Sequence, residues 1–121
     1  LVKINNELTN FIRKIKDKYL IALLSNASET FLKRILSKYE LYGLFDIIII
    51  SSEEKMVKPN VDIYKLLLDR IHIKPEKALI IDDNIFNIDG AKNAGIEGIL
   101  YNDFNSFVLE FERKTKKFSF I

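Results

Sequence analysis

A chain of 121 residues with 48% hydrophobic and 30% charged residues has the length and balance of one ordinary globular domain with one core, here expected to span 1–121. A formal net charge of +2 is too small to argue for a nucleic-acid partner, and the absence of cysteine excludes a disulfide framework or a thiolate metal site. Apolar runs such as 47–50 are far too short to cross a bilayer, and the start carries no signal-peptide pattern, so a cytoplasmic location without a membrane partner is the default.

Helical spacing of Leu8, Phe11, Ile12 and Ile15 predicts an amphipathic helix over 5–18. Residues 19–24 read as a buried strand ended by Ser25-Asn26. Asn26 with Glu29, or Ser28 alone, suits the cap of a second helix striped by Phe31, Leu32, Ile35, Leu36 and Tyr39, with Gly43 marking the break after it. The β-branched run 46–50 predicts a second strand, and polar residues 51–58 a loop ending in Lys58-Pro59. Asn60 suits the cap of a helix carrying Ile63, Leu66, Leu67 and Ile71. Pro75 precedes a third strand, 78–82, and Asn84 opens a short helix closed by Gly95. A fourth strand over 98–101 and a last helix over 105–114 complete the pattern.

Continuous apolar strands alternating with helices imply an α/β fold, a Rossmann-like doubly wound parallel sheet of about four strands with helices on both faces. Such sheets bind ligands beyond the carboxyl ends of their strands. Polar groups gather there: Ser25 and Asn26 after the first strand, Ser51, Ser52 and Lys58 after the second, Asp82 and Asp83 after the third.

Asp82-Asp83 is the sharpest feature. Two adjacent acids at the exit of an apolar strand repel each other in a partly desolvated place, which calls for a hard cation or a lysine beside them. Lys58 is the lysine on offer, although a surface lysine is the plainer reading of it taken alone. Ser25-Asn26 precedes a helix start, where free N–H groups and the helix dipole attract an anion; a simple cap is the alternative. Asn84 and Asn87 suit the same pocket or a helix start. His72 is a lone histidine near a helix end, expected to be exposed or capping. The Arg113-Lys114-Thr115-Lys116-Lys117 cluster is expected to be solvated.

The order Leu23-Leu24-Ser25-Asn26-Ala27, Lys58-Pro59-Asn60 with Ile63-Tyr64, and Ile80-Ile81-Asp82-Asp83-Asn84 through Asn87, Gly90-Ala91 and Gly95 resembles the haloacid dehalogenase-like (HAD) hydrolase superfamily over nearly the whole chain. The nearest branch is that of small-molecule phosphatases and dehalogenases. The resemblance implies that Ser25 binds a transferring phosphoryl group, assisted by Asn26. It makes Lys58 the cation that offsets charge on nucleophile and substrate, and Asp83 and Asp82 the direct and water-mediated ligands of Mg²⁺. The implied activity is Mg²⁺-dependent hydrolysis of a small phosphorylated metabolite. The alternatives are a 2-haloacid dehalogenase type and a non-catalytic phosphate-binding or scaffolding relative. A receiver-type signalling domain also combines an acid pair, a hydroxyl and a lysine, but in a different chain order.

One departure matters. The family's first motif, Asp-x-Asp-x-Thr, is absent; no Asp-x-Asp occurs anywhere in the sequence. The nucleophile and the acid/base aspartate belong to it, and the cap segment follows it. The chain starts at Leu1, where the family chain returns from its cap, so it is expected to be the carboxyl-terminal part of an incomplete HAD core. It is expected to be inactive alone, with Mg²⁺ binding weak or absent. The missing strand belongs between those at 20–24 and 78–82 and would leave a gap of about two strand spacings, roughly 10 Å. Either a four-stranded sheet closed over that gap or self-association covering it is expected.

Overall fold

The computed structural model describes residues 5–116. Six α-helices and four parallel strands lie among them. The chain divides into two compact units, one ending at Val57 and one starting at Lys58.

The first unit opens with α1 (Asn6–Ile15), whose amino end is capped by Asn5 accepting from the Leu8 N–H. Strand β1 (Ala22–Ser25) pairs in parallel with β2 (Ile47–Ile50), Ala22 opposite Ile47 and Ser25 opposite Ile50. Asp46 stands just outside β2. Its carboxylate accepts from the Ile21 N–H at 2.7 Å while its own N–H donates to the Ile21 carbonyl at 2.7 Å, so it fastens the start of the ladder. Between the strands runs α2 (Glu29–Lys38). Of the two caps offered for it, Ser28 is the one used, its hydroxyl accepting from the Phe31 N–H at 3.2 Å. The helix ends through Glu40 at φ 54, not through Gly43, which sits in a single 3₁₀ turn, Tyr42–Leu44. The core of this unit is Leu32, Leu36, Leu41, Leu44 and Ile50, with Ile12, Leu23, Ala27 and Ile48 packed against it. Leu32 and Leu36 come from the stripe that the helical spacing of α2 predicts and Leu41 and Leu44 follow the helix, whereas Phe31 of that stripe is 43% exposed. Residues 51–58 are not all loop: Ser51–Glu54 form one helical turn, α3, closed by Lys55 in the left-handed region, where its N–H reaches the Ser51 carbonyl.

The second unit holds α4 (Val61–Ile71), β3 (Leu79–Asp82), α5 (Ile85–Asn93), β4 (Glu97–Leu100) and α6 (Phe104–Thr115). Strand β3 pairs in parallel with β4, Leu79 opposite Glu97 and Asp82 opposite Leu100, and the Tyr101 N–H extends the ladder to the Asp82 carbonyl at 2.8 Å. Helix α5 packs on both strands and on α4, and α6 packs on β4. Ile63, Tyr64, Leu68, Ala91, Ile96, Ile99, Phe107 and Phe111 are its buried apolar side chains. The rings of Phe104, Tyr101 and Phe111 each stand within 6.3 Å of the Phe107 ring, tilted as aromatic pairs prefer. Gly95 ends α5 at φ +85, the conformation its lack of a side chain allows. Exposed His72 occupies the equivalent left-handed position after α4, at φ 55.

Several expectations change. The closed four-stranded sheet does not form: the hydrogen-bond ladders are two, β1 with β2 and β3 with β4, and among the described residues no further strand joins either. Of the three strands read as buried, β1 and β3 are half-buried at every residue, whereas β2 contains covered isoleucines at 49 and 50, as β4 does at 99. An apolar run specifies a strand through β-propensity, but its burial depends on neighbours from other segments of the chain. Tyr19 and Leu20, assigned to β1 from sequence, precede it and are 40% and 59% exposed. Lys117 of the basic cluster lies outside the described residues; Arg113 is exposed, whereas Lys114 is drawn onto Glu97 at 3.2 Å and is largely covered.

Candidate functional site

Asp82 is the last residue of β3, and the strand delivers its carboxylate to the carboxyl edge of the second ladder. Three groups from three places meet it. The Lys58 ammonium, from the segment before α4, lies 3.0 Å from Oδ2. The Asn87 side-chain amide, from the first turn of α5, donates to the same oxygen at 3.1 Å. The Asn84 backbone N–H donates to Oδ1 at 2.9 Å. Both side chains of the ion pair are largely covered, 13% and 9% exposed for Lys58 and Asp82.

Burial by itself would raise the Asp82 pKa. The Asn84 N–H, the Lys58 charge and the Asn87 amide outweigh it and hold the carboxyl below its ordinary value, so Asp82 is an anion at neutral pH. The same charge acts on Tyr64. Burial first, and Asp82 second, push its hydroxyl up to about 12.

Asp83, the next residue, is exposed. Adjacent acids on a strand exit point to opposite sides, which is why one is drawn into the Lys58 pair and the other faces water. Asn84 accepts from the Phe86 N–H at 2.9 Å and caps α5, the capping role its sequence position suggested. Asn87 is buried and serves the Asp82 pocket instead.

The Lys58 segment is held against α5 by a close backbone approach. A Cβ at Gly90 would stand 2.2 Å from the Pro59 carbonyl oxygen, so only glycine fits there. The Lys58-Pro59 peptide bond is cis.

Ser25 ends β1 in the first unit and is half-buried. Its hydroxyl accepts from the Ala27 N–H at 3.0 Å, a local turn that shapes the passage into α2. Asn26 is exposed on that turn. Ser51, at the corresponding exit of β2, is buried within α3.

A hard cation fits part of this donor set. Mg²⁺ is commonly held through one or two carboxylates, with phosphate oxygens and water completing its shell. Asp83 presents such a carboxylate, while both oxygens of Asp82 already accept from protein groups. Among the described residues no group of three or more acidic, histidine or cysteine side chains could hold a metal by itself. A groove of about 510 Å³ elsewhere in this unit is lined by Ile88, Asp89, Lys92, Gly95, Glu97 and Lys114, among others. It opens at the amino end of β4, the opposite edge of the ladder from Asp82.

A family model described as haloacid dehalogenase-like hydrolase matches residues 1–95, a stretch that contains Ser25, Lys58 and the Asp82-Asp83 pair. The chain belongs to this family. A phosphorylated carbohydrates phosphatase of Thermotoga maritima is 30% identical over 100 residues, covering 82% of this chain and 46% of the relative. The chain therefore spans less than half the length of that curated relative. Among solved structures, a HAD-like family hydrolase of Porphyromonas gingivalis superposes with a TM-score of 0.80 at 26% identity, over 93% of this chain and 58% of that one. A HAD family enzyme of Bacteroides thetaiotaomicron, solved in complex with magnesium and inorganic phosphate, superposes with a TM-score of 0.77 at 26% identity over 88% of this chain and 59% of that one. The described residues thus form an α/β arrangement that matches part of a HAD core.

Two site features escaped the residue-by-residue reading. Tyr64 and Gly90 entered only as letters of the family pattern, and nothing in local spacing marks a buried hydroxyl or a backbone-to-backbone approach. Lys58, read alone as a surface lysine, is paired and covered because of residues 24 and more positions away.

Proposed function

We propose that this chain supplies the Lys58, Asp82 and Asp83 part of a Mg²⁺-dependent phosphatase acting on a small phosphorylated metabolite. The observation that carries the reading is the covered Lys58–Asp82 pair beside exposed Asp83 at the carboxyl end of β3. Similarity to a phosphorylated carbohydrates phosphatase and to an enzyme solved with magnesium and inorganic phosphate supports it.

In this reading Asp83 is the direct carboxylate ligand of the cation and Asp82 reaches it through water. Mg²⁺, when bound, would supply Lewis-acid stabilisation of a phosphoryl oxygen. Lys58 stabilises negative charge on the phosphoryl group, and Asp82 with Asn87 keeps its ammonium in place. Ser25, by its place in the family motif, donates a hydroxyl hydrogen bond to a phosphoryl oxygen, with Asn26 assisting through its amide. The sequence given holds no Asp-x-Asp, the pattern that carries the family's nucleophile, so these residues alone bind and polarise but do not turn over. Half-buried β1 and β3 support the accompanying reading that the chain self-associates, which sedimentation would register as a species heavier than 14.1 kDa.

Titration of the purified chain with inorganic phosphate in excess Mg²⁺, followed by phosphorus NMR, tests the site. Saturable binding that weakens at least about tenfold in Lys58→Ala and Asp83→Asn is expected, the scale of a lost charge-assisted contact. Binding indifferent to both substitutions, or no binding at all, would remove the phosphoryl reading. Turnover of p-nitrophenyl phosphate by the chain alone, abolished by either substitution, would overturn the claim of inactivity.

A further inference from the structure

We infer that Tyr64 is a positioning residue for the Lys58–Asp82 pair, acting through the backbone carbonyl of Asn87. Tyr64 lies on α4 and is fully buried, at 0% exposure. Its hydroxyl donates to the Asn87 carbonyl oxygen at 2.9 Å. Asn87 in turn places its side-chain amide 3.1 Å from Asp82 Oδ2, the oxygen on which the Lys58 ammonium rests at 3.0 Å. Tyr64, Asn87, Asp82 and Lys58 thus form one connected chain of contacts across α4, α5, β3 and the segment before α4.

The chemistry of the position argues for this role. A fully covered ring fills its place as phenylalanine at no polar cost. A hydroxyl there loses its hydration and is retained at a profit only if it meets a partner. The partner it meets lies in the first turn of α5, where helix ends fray most readily. A carbonyl has two acceptor sites, so the Asn87 oxygen can serve the helix ladder and Tyr64 together. Fixing that carbonyl fixes the peptide from which the Asn87 side chain departs. The close approach of Pro59 to Gly90, one turn further along α5, holds the Lys58 segment on the same helix. Helix α5 therefore contacts both partners of the pair, Asp82 through Asn87 and the Lys58 segment through Gly90, and Tyr64 fastens its first turn to α4.

The inference gains its importance from the phosphoryl-site reading, but its test is read on the pair itself. Failure of phosphate binding would sink that reading and leave this one standing. In the full chain, solvent exchange of the Lys58 ammonium and of the Asn87 side-chain amide is followed by ¹H–¹⁵N NMR. In Tyr64→Phe both are expected to exchange about tenfold faster, the effect of losing one buried hydrogen bond. The backbone amide of Ile99, a buried residue of β4 outside this chain of contacts, should stay within about twofold. Asn87→Ala should reproduce the Lys58 change with Tyr64 intact. Unchanged Lys58 exchange in either variant would overturn the inference. Equal acceleration at Lys58, Asn87 and Ile99 in Tyr64→Phe would do so as well, because it would make Tyr64 a packing residue only. Should Tyr64→Phe not fold, exchange of the Tyr64 hydroxyl proton in the unaltered chain decides: slow exchange is expected, and exchange at the rate of a free phenol would overturn the inference.

Discussion

The carboxyl ends of β1 and β3 hold the two polar clusters of this chain, and they are built in opposite ways. At β1, Ser25 bonds to the N–H of Ala27, two residues on, and Ser28 to that of Phe31, three residues on. Both of these partners are neighbours in sequence. At β3, Asp82 draws Lys58 from 24 positions upstream and Asn87 from the next helix, while Tyr64, 23 positions from Asn87, fastens that helix. The first cluster survives as long as a turn survives; the second exists only when α4, α5 and β3 are packed. Local order is cheap to form and cheap to lose, whereas a covered ion pair is costly to leave half-made.

This contrast can be broken most severely at Lys58. Lys58→Ala leaves Asp82 covered and without its cation, and should destabilise the second unit by about 3 kcal/mol, the low end for breaking a buried pair. Adding Asp82→Asn should recover a large part of that loss, and urea unfolding of the single and double variants measures both. Acid acts on the same bond. The Asp82 carboxyl lies below its ordinary value in the folded chain, so its contribution is complete above the unfolded value near 3.8. It declines as pH falls from there through the lower folded value. Amide exchange in β4 should therefore rise in that window, and Asp82→Asn should remove this component. An unaltered acid limb in Asp82→Asn would show that other carboxylates set it.

Gly90→Ala comes next. The added methyl meets the Pro59 carbonyl at 2.2 Å, a backbone atom that cannot swing aside. A loss of about 2 kcal/mol is expected from such overpacking. The Lys58 NMR signal should shift with it, since the segment carrying Lys58 must move. A Gly90→Ala chain with wild-type stability would mean that α5 and the Pro59 segment separate easily.

Ser25→Ala gives the smallest change. Its lost turn bond should cost about 0.5–1 kcal/mol, with effects confined to residues near β1 and α2. Chemical-shift changes reaching Lys58 or Asp82 would blur the contrast between the two clusters.

How legible each cluster was follows from the same contrast. Helices α2 and α4 were readable from apolar spacing, and caps at Ser28 and Asn84 from residue type, because their determinants lie within one turn. Asn60 was expected to cap α4, and it occupies the cap position without a side-chain hydrogen bond there. A capping residue type permits the bond but does not compel it. The turn at Ser51–Glu54 was read as loop because its residues are polar and carry no periodic stripe. Gly43 was read as the helix breaker, but Glu40 takes the left-handed conformation instead. Asp82-Asp83 with Lys58 was visible as chemistry in search of a partner. That Lys58 pairs with Asp82 while Asp83 stays in water was not, since adjacent letters give no direction.

Sequence alone determined the alternation of strands and helices, the family, and the presence of a lysine and two acids at strand exits. Those features depend on residue type and short spacing, which the chain carries wherever it folds. Only the tertiary structure decided which acid is covered, that the strands form two separate ladders, and that Tyr64 and Gly90 support the Lys58–Asp82 pair. Coverage, ladder pairing and close backbone approach are properties of distant segments brought together, and no local stretch of sequence contains them.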